Sequence, residues 1–338
     1  MNRGSFARFA FLVFLSLSPL AAQAQDAATL PDFLPVPASV KARILEVDPQ
    51  KGYLVKELKP HVYMITDGGY QSLFVTTGSG VILLDAPPSF SSKIVRAVAE
   101  VTKEPVKELV YSHSHLDHIS GAVDVMKEVP GLPILAEDGV ASFLREKSDA
   151  RRPVPTQTFK NHYVLKMGSA RIEMKKGHWH SLEGDLFIYI PTAKVLMAVD
   201  TMPTGSAPFM DFDLTEDFPE YLKMFDQLLA YDFDVFVGGH LSFPGTRDDV
   251  QLTKAYTMDV YKTIKRIYDG TDQMKVVTQA AAKYGWDNKM ALFRSLLDPM
   301  MDQCAKEIIG RWSDKLESVD VYARSHCHTA LIYARWDD

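Results

Sequence analysis

The stretch YSHSHLDHISGA, residues 111–122, concentrates four potential metal ligands within six positions. These are His113, His115, Asp117 and His118. Residues 107–112 predict a short buried strand, and the apolar residues from Ile119 to Met126 recur at helical spacing. The cluster therefore lies on a predicted strand-to-helix turn, where imidazoles and carboxylates can converge on a metal ion. A solvated polar turn is the weaker interpretation, because four of the six positions carry good ligands.

Further ligand candidates lie beside other predicted strands. His178 and His180 precede a predicted strand at 185–190, Asp200 ends one at 194–199, and His240 follows the Gly-Gly pair at 238–239. One edge of a sheet can bring such distant residues together into one cleft.

The order of elements predicts the fold. Strands are predicted at residues 53–58, 62–66, 73–77, 81–85, 107–112, 163–167, 170–175, 185–190, 194–199 and 234–237, and helices at 91–102, after 119 and at 221–229. Two halves that each run from strands to helices predict a sheet-on-sheet core with helices outside.

From about Asp248 onward the pattern predicts a helical extension. Helices are expected at 250–268, 274–284 and 292–316, and a strand at 329–333. His326 and His328 alternate with Cys327 before that strand, and core or surface roles are favoured for them over metal binding. Whether Cys304 pairs with Cys327 is left open, since an oxidising compartment would only permit it.

The HxHxDH motif, a later His before a Gly-Asp strand, an Asp that ends the next strand and a Gly-Gly-His turn together resemble the metallo-β-lactamase superfamily. The resemblance covers about Tyr53 to Phe243. It implies an α+β fold, the four-layer αβ/βα sandwich, here with a helical C-terminal extension. It also implies two Zn²⁺ ions, although a bridging aspartate also admits iron or manganese.

The resemblance assigns the ligands. It gives one ion to His113, His115 and His180, gives the other to Asp117, His118 and His240, and makes Asp200 the bridge. His178 is the alternative to His180, or a residue behind it, because the segment from His180 to Asp185 is one residue longer than the family pattern. Asp85, at the end of its strand, resembles the carboxylate that fixes a histidine ligand from behind; an ordinary turn residue is the alternative.

The activity implied is hydrolysis of a lactone, ester, amide or β-lactam by a metal-bound hydroxide, with Asp117 as the catalytic residue that orients the water or passes on its proton. The alternatives are a β-lactamase proper, or a non-catalytic metal- or ligand-binding protein that keeps the fold. Tyr70, Trp179 and Phe209 are the predicted substrate contacts, and they favour a small molecule with an apolar substituent. These aromatic residues could equally pack beneath the C-terminal helices.

The net charge and the N-terminal sequence restrict the possible partners and the location of the protein. The 338 residues carry a formal charge of −6 with no basic patch, which argues against a nucleic-acid partner. Arg3 and Arg8, an apolar run at 9–17 and the small residues at 22–24 predict a signal peptide, hence a periplasmic or secreted protein without a membrane span. The predicted organisation is a signal peptide at 1–24, a linker at 25–52, a catalytic domain at 53–247 and the helical extension at 248–338, with a possible homo-oligomer through its helices.

Overall fold

Two stacked β-sheets form the centre of the fold in a computed structural model that describes residues 32–336. The predicted signal peptide lies outside the described residues. The first sheet contains, in spatial order, β1 (Leu54–Lys59), β2 (Val62–Thr66), β3 (Gln71–Thr76), β4 (Val81–Leu84), β5 (Val106–Val110), β6 (Ile134–Glu137) and β7 (Gln157–Phe159). Strands β1 to β4 pair antiparallel, whereas β4 to β7 pair parallel.

The second sheet has five strands. They are β8 (His162–Met167), β9 (Ala170–Gly177), β10 (Asp185–Ile190), β11 (Val195–Met197) and β12 (Val235–Val237), in sequential spatial order. Strands β8 to β11 pair antiparallel, and β12 joins β11 in parallel.

Helices cover the outer faces of both sheets. The helices in chain order are α1 (Ala38–Lys41), α2 (Ile94–Ala99), α3 (Leu116–Ile119), α4 (Ala122–Glu128), α5 (Asp138–Lys147), α6 (Met210–Leu214), α7 (Phe218–Leu229), α8 (Arg247–Gly270), α9 (Gln273–Tyr284), α10 (Lys289–Trp312) and α11 (Val319–Trp336). Of these, α6 is a short turn whose backbone is left-handed from Asp211 to Leu214. A 3₁₀ turn, Ser91–Lys93, precedes α2.

Alternation along the central strands explains the layers. On β4, Ile82 and Leu84 pack between the two sheets, while Val81 and Leu83 pack against the helices of the first half. On β11, Val195 and Met197 face the space between the sheets and Leu196 faces the C-terminal helices. A strand buried on both faces needs a layer on each side. Three apolar cores therefore separate four layers, which confirms the predicted αβ/βα sandwich.

The C-terminal helices share a core with the second sheet. Phe187 and Leu196 of that sheet belong to the same buried cluster as residues of α8, α10 and α11. A disulfide joins Cys304 on α10 to Cys327 on α11, which answers the open question of their pairing. Residues from Leu34 onward form one compact unit, and within residues 32–336 each helix is too short or too polar to cross a membrane.

The strand predicted at 329–333 is wrong, because the chain is helical throughout α11. Buried residues there recur at helical spacing, from His326 and Cys327 to Ala330, Leu331 and Ala334. The predicted helix at 91–102 is a 3₁₀ turn followed by the shorter α2. Strands β6 and β7 and helix α5 are not among the predicted elements. The expected linker packs on the predicted helical extension, where Arg43 pairs with Asp249 at 2.6 Å.

Candidate metal centre

Several candidate site residues lie just after the C-terminal ends of strands. Asp85 follows β4 and His113 follows β5, which are parallel neighbours, and Asp200 follows β11 and His240 follows β12, which are also parallel neighbours. Carboxyl ends of parallel strands meet at one edge of a sheet. The loop between β9 and β10 adds His180 at the same edge.

Seven side chains converge there in two groups. We call His113, His115 and His180 the first set, and Asp117, His118 and His240 the second set. Asp200 lies between them. Its Oδ2 is 3.2 Å from Nε2 of both His113 and His180, while its Oδ1 is 3.1 Å from His118 Nε2 and 2.9 Å from His240 Nε2.

The donor atoms fit divalent ions. His180 Nε2 lies 2.7 Å from His115 Nδ1, and His118 Nε2 lies 3.2 Å from His240 Nε2, so imidazole nitrogens point at one another in pairs. His113 Nε2 and Asp200 Oδ1 are buried without a hydrogen-bond partner. Such convergent nitrogen and carboxylate donors suit Zn²⁺, and also iron or manganese.

Burial and neighbouring charges shift the pKa values of the candidate ligands. Burial lowers the pKa of His113 to about 3. Burial also opposes charge on His118 and His180, but the Asp200 carboxylate and neighbouring acids outweigh it and raise the pKa of each to about 9. In spite of its own burial, the imidazoles of His118 and His180 hold the pKa of Asp200 well below its usual range. Asp200 is thus a permanent buried anion, which favours cations beside it.

His180, rather than His178, joins the cluster. His178 is exposed and lies outside the cleft, so its predicted place among or behind the ligands is wrong. The Nδ1–H of His180 donates to the carbonyl of Asp213. The Asp185 carboxylate accepts the backbone N–H groups of Trp179 and His180, both at 2.9 Å.

Sequence reasoning missed the roles of Asp185 and Asp213. Asp185 was visible only as the Gly-Asp of the motif. Asp213 carries no signal in the sequence, because it acts through a main-chain carbonyl.

Asp85 lies behind the second set. It is fully buried, its Oδ1 accepts the N–H of Ser112 at 2.7 Å, and its charge helps to raise the pKa of His118. Its Oδ2 and the Nδ1 of His118 have no hydrogen-bond partner. Burial raises the pKa of Asp85 to about 6. Its expected role in fixing a histidine ligand stays a prediction.

The turn before His240 requires glycine. At Gly239, φ is +89°, and an added Cβ would come within 2.7 Å of Val199 and 3.2 Å of His118. A side chain there would therefore be strained and would push against a ligand of the second set.

A cleft of about 400 Å³ opens over the ligands. Tyr70 and Phe209 line it, their contact with a substrate stays a prediction, and the ring of Tyr70 lies 4.8 Å from that of His240. Trp179 does not line it. Its indole is buried against Phe187 and donates to the carbonyl of Val199 at 3.0 Å, so its predicted substrate contact is wrong.

The C-terminal segment supplies one wall of the cleft. Sequence reasoning missed Glu317, Ser318 and Tyr322, which line it together with Leu214 and Leu241. No motif marks these residues, since their part in the cleft depends on how α11 packs.

Left-handed backbone concentrates around the site. Among the described residues, twelve non-glycine residues have positive φ, and six of them belong to the site or its walls: Asp85, Asp200, Asp213, Leu214, Leu241 and Ser318. Asp211 and Phe212 directly precede two of these residues and are also left-handed. Such conformations persist only where the surrounding structure imposes them, and they cluster at functional sites.

Comparisons with known proteins agree with this geometry. The family model described as the metallo-beta-lactamase superfamily matches residues 65–240, just over half of the chain. A curated relative, the 2,4-dinitroanisole O-demethylase subunit alpha of Nocardioides sp. (strain JS1661), is 27% identical over 190 residues, which are 54% of this chain and 56% of that protein. The chain thus matches little more than half of that relative's length.

Two solved structures share the fold. A metallo-beta-lactamase from Pontibacter korlensis is 20% identical with a TM-score of 0.51, over 60% of this chain and 97% of that one. A structure of TMB-1, described with regard to substrate and inhibitor binding, is 18% identical with a TM-score of 0.51, over 60% and 96%. At these identities the likeness concerns the fold alone.

Proposed function

The chain belongs to the metallo-β-lactamase superfamily, and from that premise we propose that it is a hydrolase that uses two divalent metal ions, zinc foremost, to cleave a lactone, ester, amide or β-lactam. One observation carries the proposal. The two carboxylate oxygens of Asp200 face different histidine sets, at 3.2 Å on one side and at 2.9–3.1 Å on the other. A protein that held a single ion would have no use for this division.

The residues have distinct roles. The first set and Asp200 Oδ2 would hold one ion, and the second set and Asp200 Oδ1 the other. Ions held there supply Lewis acidity and lower the pKa of water towards neutrality. Asp117, whose side chain is 44% exposed at the mouth of the second set, orients the attacking water and takes up its proton.

Tyr70 is suited to donate a hydrogen bond beside the reacting bond. Burial, with the charges of Asp117 and Asp200, raises the pKa of its hydroxyl above the usual value. The hydroxyl therefore stays protonated at neutral pH, next to the place where the substrate would lie against the second set.

The cleft walls favour a substrate with an apolar or aromatic substituent. Phe209 and Tyr322 pack edge to face across one wall, with ring centroids 5.1 Å apart, and Leu214 and Leu241 complete the apolar lining. Such walls bind a ring or acyl chain by removing its surface from water.

Metal analysis and a substrate panel test this function. Protein purified and reloaded with Zn²⁺ should hold two ions per chain, and it should hydrolyse at least one of nitrocefin, a series of lactones and nitrophenyl esters. Two bound ions without turnover of any substrate would favour the non-catalytic alternative. Fewer than two ions after reloading would refute the dinuclear mechanism.

A second candidate is cleavage of an activated aryl methyl ether. The observation that favours it is the 27% identity to the O-demethylase subunit, together with the aromatic cleft. Water would replace the methoxy group, so an aryl ether and water give a phenol and methanol. The test is to add 2,4-dinitroanisole to the panel and follow release of 2,4-dinitrophenol by its absorbance.

We also propose export to an oxidising compartment. The signal-peptide pattern at 1–24 suggests it, and the buried Cys304–Cys327 disulfide supports it, because such bonds persist mainly outside the reducing cytosol. Cell fractionation and N-terminal sequencing of the mature protein test this. An unprocessed N-terminus in the cytosolic fraction would refute it.

A further inference from the structure

The cleft wall contains an unusual backbone segment, the left-handed turn Asp211–Leu214. All four residues have φ between +54° and +57°, and none of them is glycine. Side chains make this conformation unfavourable for each residue, so four in succession need support from their surroundings.

The turn reaches the metal centre through one carbonyl. The main-chain carbonyl of Asp213 accepts the Nδ1–H of His180. That hydrogen bond fixes the tautomer and the ring plane, so that Nε2 faces Asp200 at 3.2 Å and His115 at 2.7 Å. The orientation of a first-set ligand therefore depends on the conformation of the turn.

Helix α11 holds the turn by hydrogen bonds. The N–H of Asp211 donates to the hydroxyl of Ser325 at 3.0 Å, and the hydroxyl of Thr329 donates to the Asp211 carboxylate at 3.0 Å. Two residues before the turn, the carbonyl of Phe209 accepts a hydrogen bond from Nε2–H of His326 at 3.0 Å.

Side-chain packing also supports the turn Asp211–Leu214. The ring of Phe212 stacks on that of His326 at 4.3 Å, and both side chains are fully buried. Because the carbonyl of Phe209 can only accept, His326 carries a proton on Nε2, and its Nδ1 accepts from the hydroxyl of Tyr256 on α8 at 2.7 Å. The contacts that support the turn therefore extend through His326 and Tyr256 into the core of the C-terminal helices.

We propose that helix α11 positions the metal ligand His180, by holding the left-handed turn whose Asp213 carbonyl orients the His180 ring. Ser325, Thr329 and His326 are the positioning residues. The inference rests on the proposed function only in that it requires the first set to bind a metal ion.

The test removes the two hydroxyl anchors from the intact protein. In the variant S325A/T329V, the affinity of the first set for Co²⁺ or Zn²⁺ should fall about 10-fold, the low end of the cost of losing a ligand's direct partner, because the Asp213 carbonyl itself remains. Chelator competition measures it, and the absorption spectrum of bound Co²⁺ should change for the first set while the second set keeps its affinity. The single variant Thr329→Ser keeps the hydroxyl, so its first set should bind the metal ion with wild-type affinity.

His328→Ala is the matched control, because His328 lies on the exposed side of the same helix. Unchanged first-set affinity in S325A/T329V would overturn the proposal, as would an equal loss from both sets together with a lower melting temperature. If the double variant does not fold, the single Thr329→Val variant carries the same expectation. A wild-type protein that binds two ions but hydrolyses nothing would refute the proposed function and leave this one standing.

Discussion

The two ligand sets that share Asp200 differ in how firmly the chain holds them. In the first set, His113 and His180 are 1% and 6% exposed, and Nδ1 of each has a partner, the hydroxyl of Ser112 or the carbonyl of Asp213. In the second set, the side chains of Asp117 and His240 are 44% and 28% exposed. Two of the three first-set ligands are thus held by a hydrogen bond to the other ring nitrogen, whereas two of the three second-set ligands are open to solvent.

The difference predicts a division of labour. A ligand whose other nitrogen is hydrogen-bonded loses little freedom when it binds a metal, so the first set should bind its ion more tightly. The second set borders Tyr70 and the cleft walls, and should exchange its ion more readily and contact the substrate.

The strongest test of this arrangement is Asp200→Asn, which tolerates the left-handed backbone at φ +54° but removes the shared charge. One amide oxygen cannot serve both sets, so both should bind more weakly. We expect kcat/KM to fall by more than about 10³-fold, since loss of a group behind a ligand alone costs about 10- to 100-fold. Asp232→Ala, an exposed acid on the surface, is the control; nearly full activity in Asp200→Asn would contradict the bridge.

The variants His180→Ala and His240→Ala test whether the two sets differ in metal affinity. At limiting Zn²⁺, His240→Ala should keep one tightly bound ion, because the first set is intact, whereas His180→Ala should lose tight binding. Activity should fall about 100-fold or more in both, above the cost of disturbing a supporting residue. Metal titration with a competing chelator measures the affinities.

His178→Ala is the matched control for this pair, since His178 is exposed two residues from His180. It should bind two ions with wild-type affinity. If His178→Ala emptied the tight site instead, the assignment of His180 would fall.

A smaller effect is expected on the cleft side. Tyr322→Ala or Phe209→Ala removes apolar contact with the substrate, and should raise KM about tenfold, equivalent to about 1.4 kcal/mol of binding. Metal affinity should stay unchanged, since neither ring touches a ligand set. Trp286→Ala, an exposed aromatic residue far along the chain, is the control; a rise in KM there as large as in Tyr322→Ala would argue against a specific substrate wall.

The same contrast separates what the sequence could and could not predict. Dense motifs at strand ends are local features, so His113, Asp200 and His240 could be placed from spacing and resemblance. The Asp213 carbonyl and the wall formed by Tyr322 depend on long-range packing of α11, which leaves no local pattern. For Trp179 the local sequence is misleading: it neighbours the ligand His180 in the chain, but its side chain points into the core and not into the cleft.

The mildest test concerns pH, and it uses metal-free protein. The pKa of both His118 and His180 is raised to about 9 in the fold, above the ordinary value of 6.5, so protonation of these rings stabilises the fold. This stabilisation is fully present below pH 6.5 and is lost as the pH rises through 9. In chelator, the melting temperature should therefore fall across that window, by roughly 1–2 °C for each kcal/mol lost, given an unfolding entropy of about 2.1 cal/mol/K per residue. Because both histidines depend on the charge of Asp200, one on each side, Asp200→Asn should flatten the slope. Zn²⁺ should flatten it too, since coordination requires neutral imidazoles. A slope as steep in Asp200→Asn as in the wild type would contradict a carboxylate shared by the two sets.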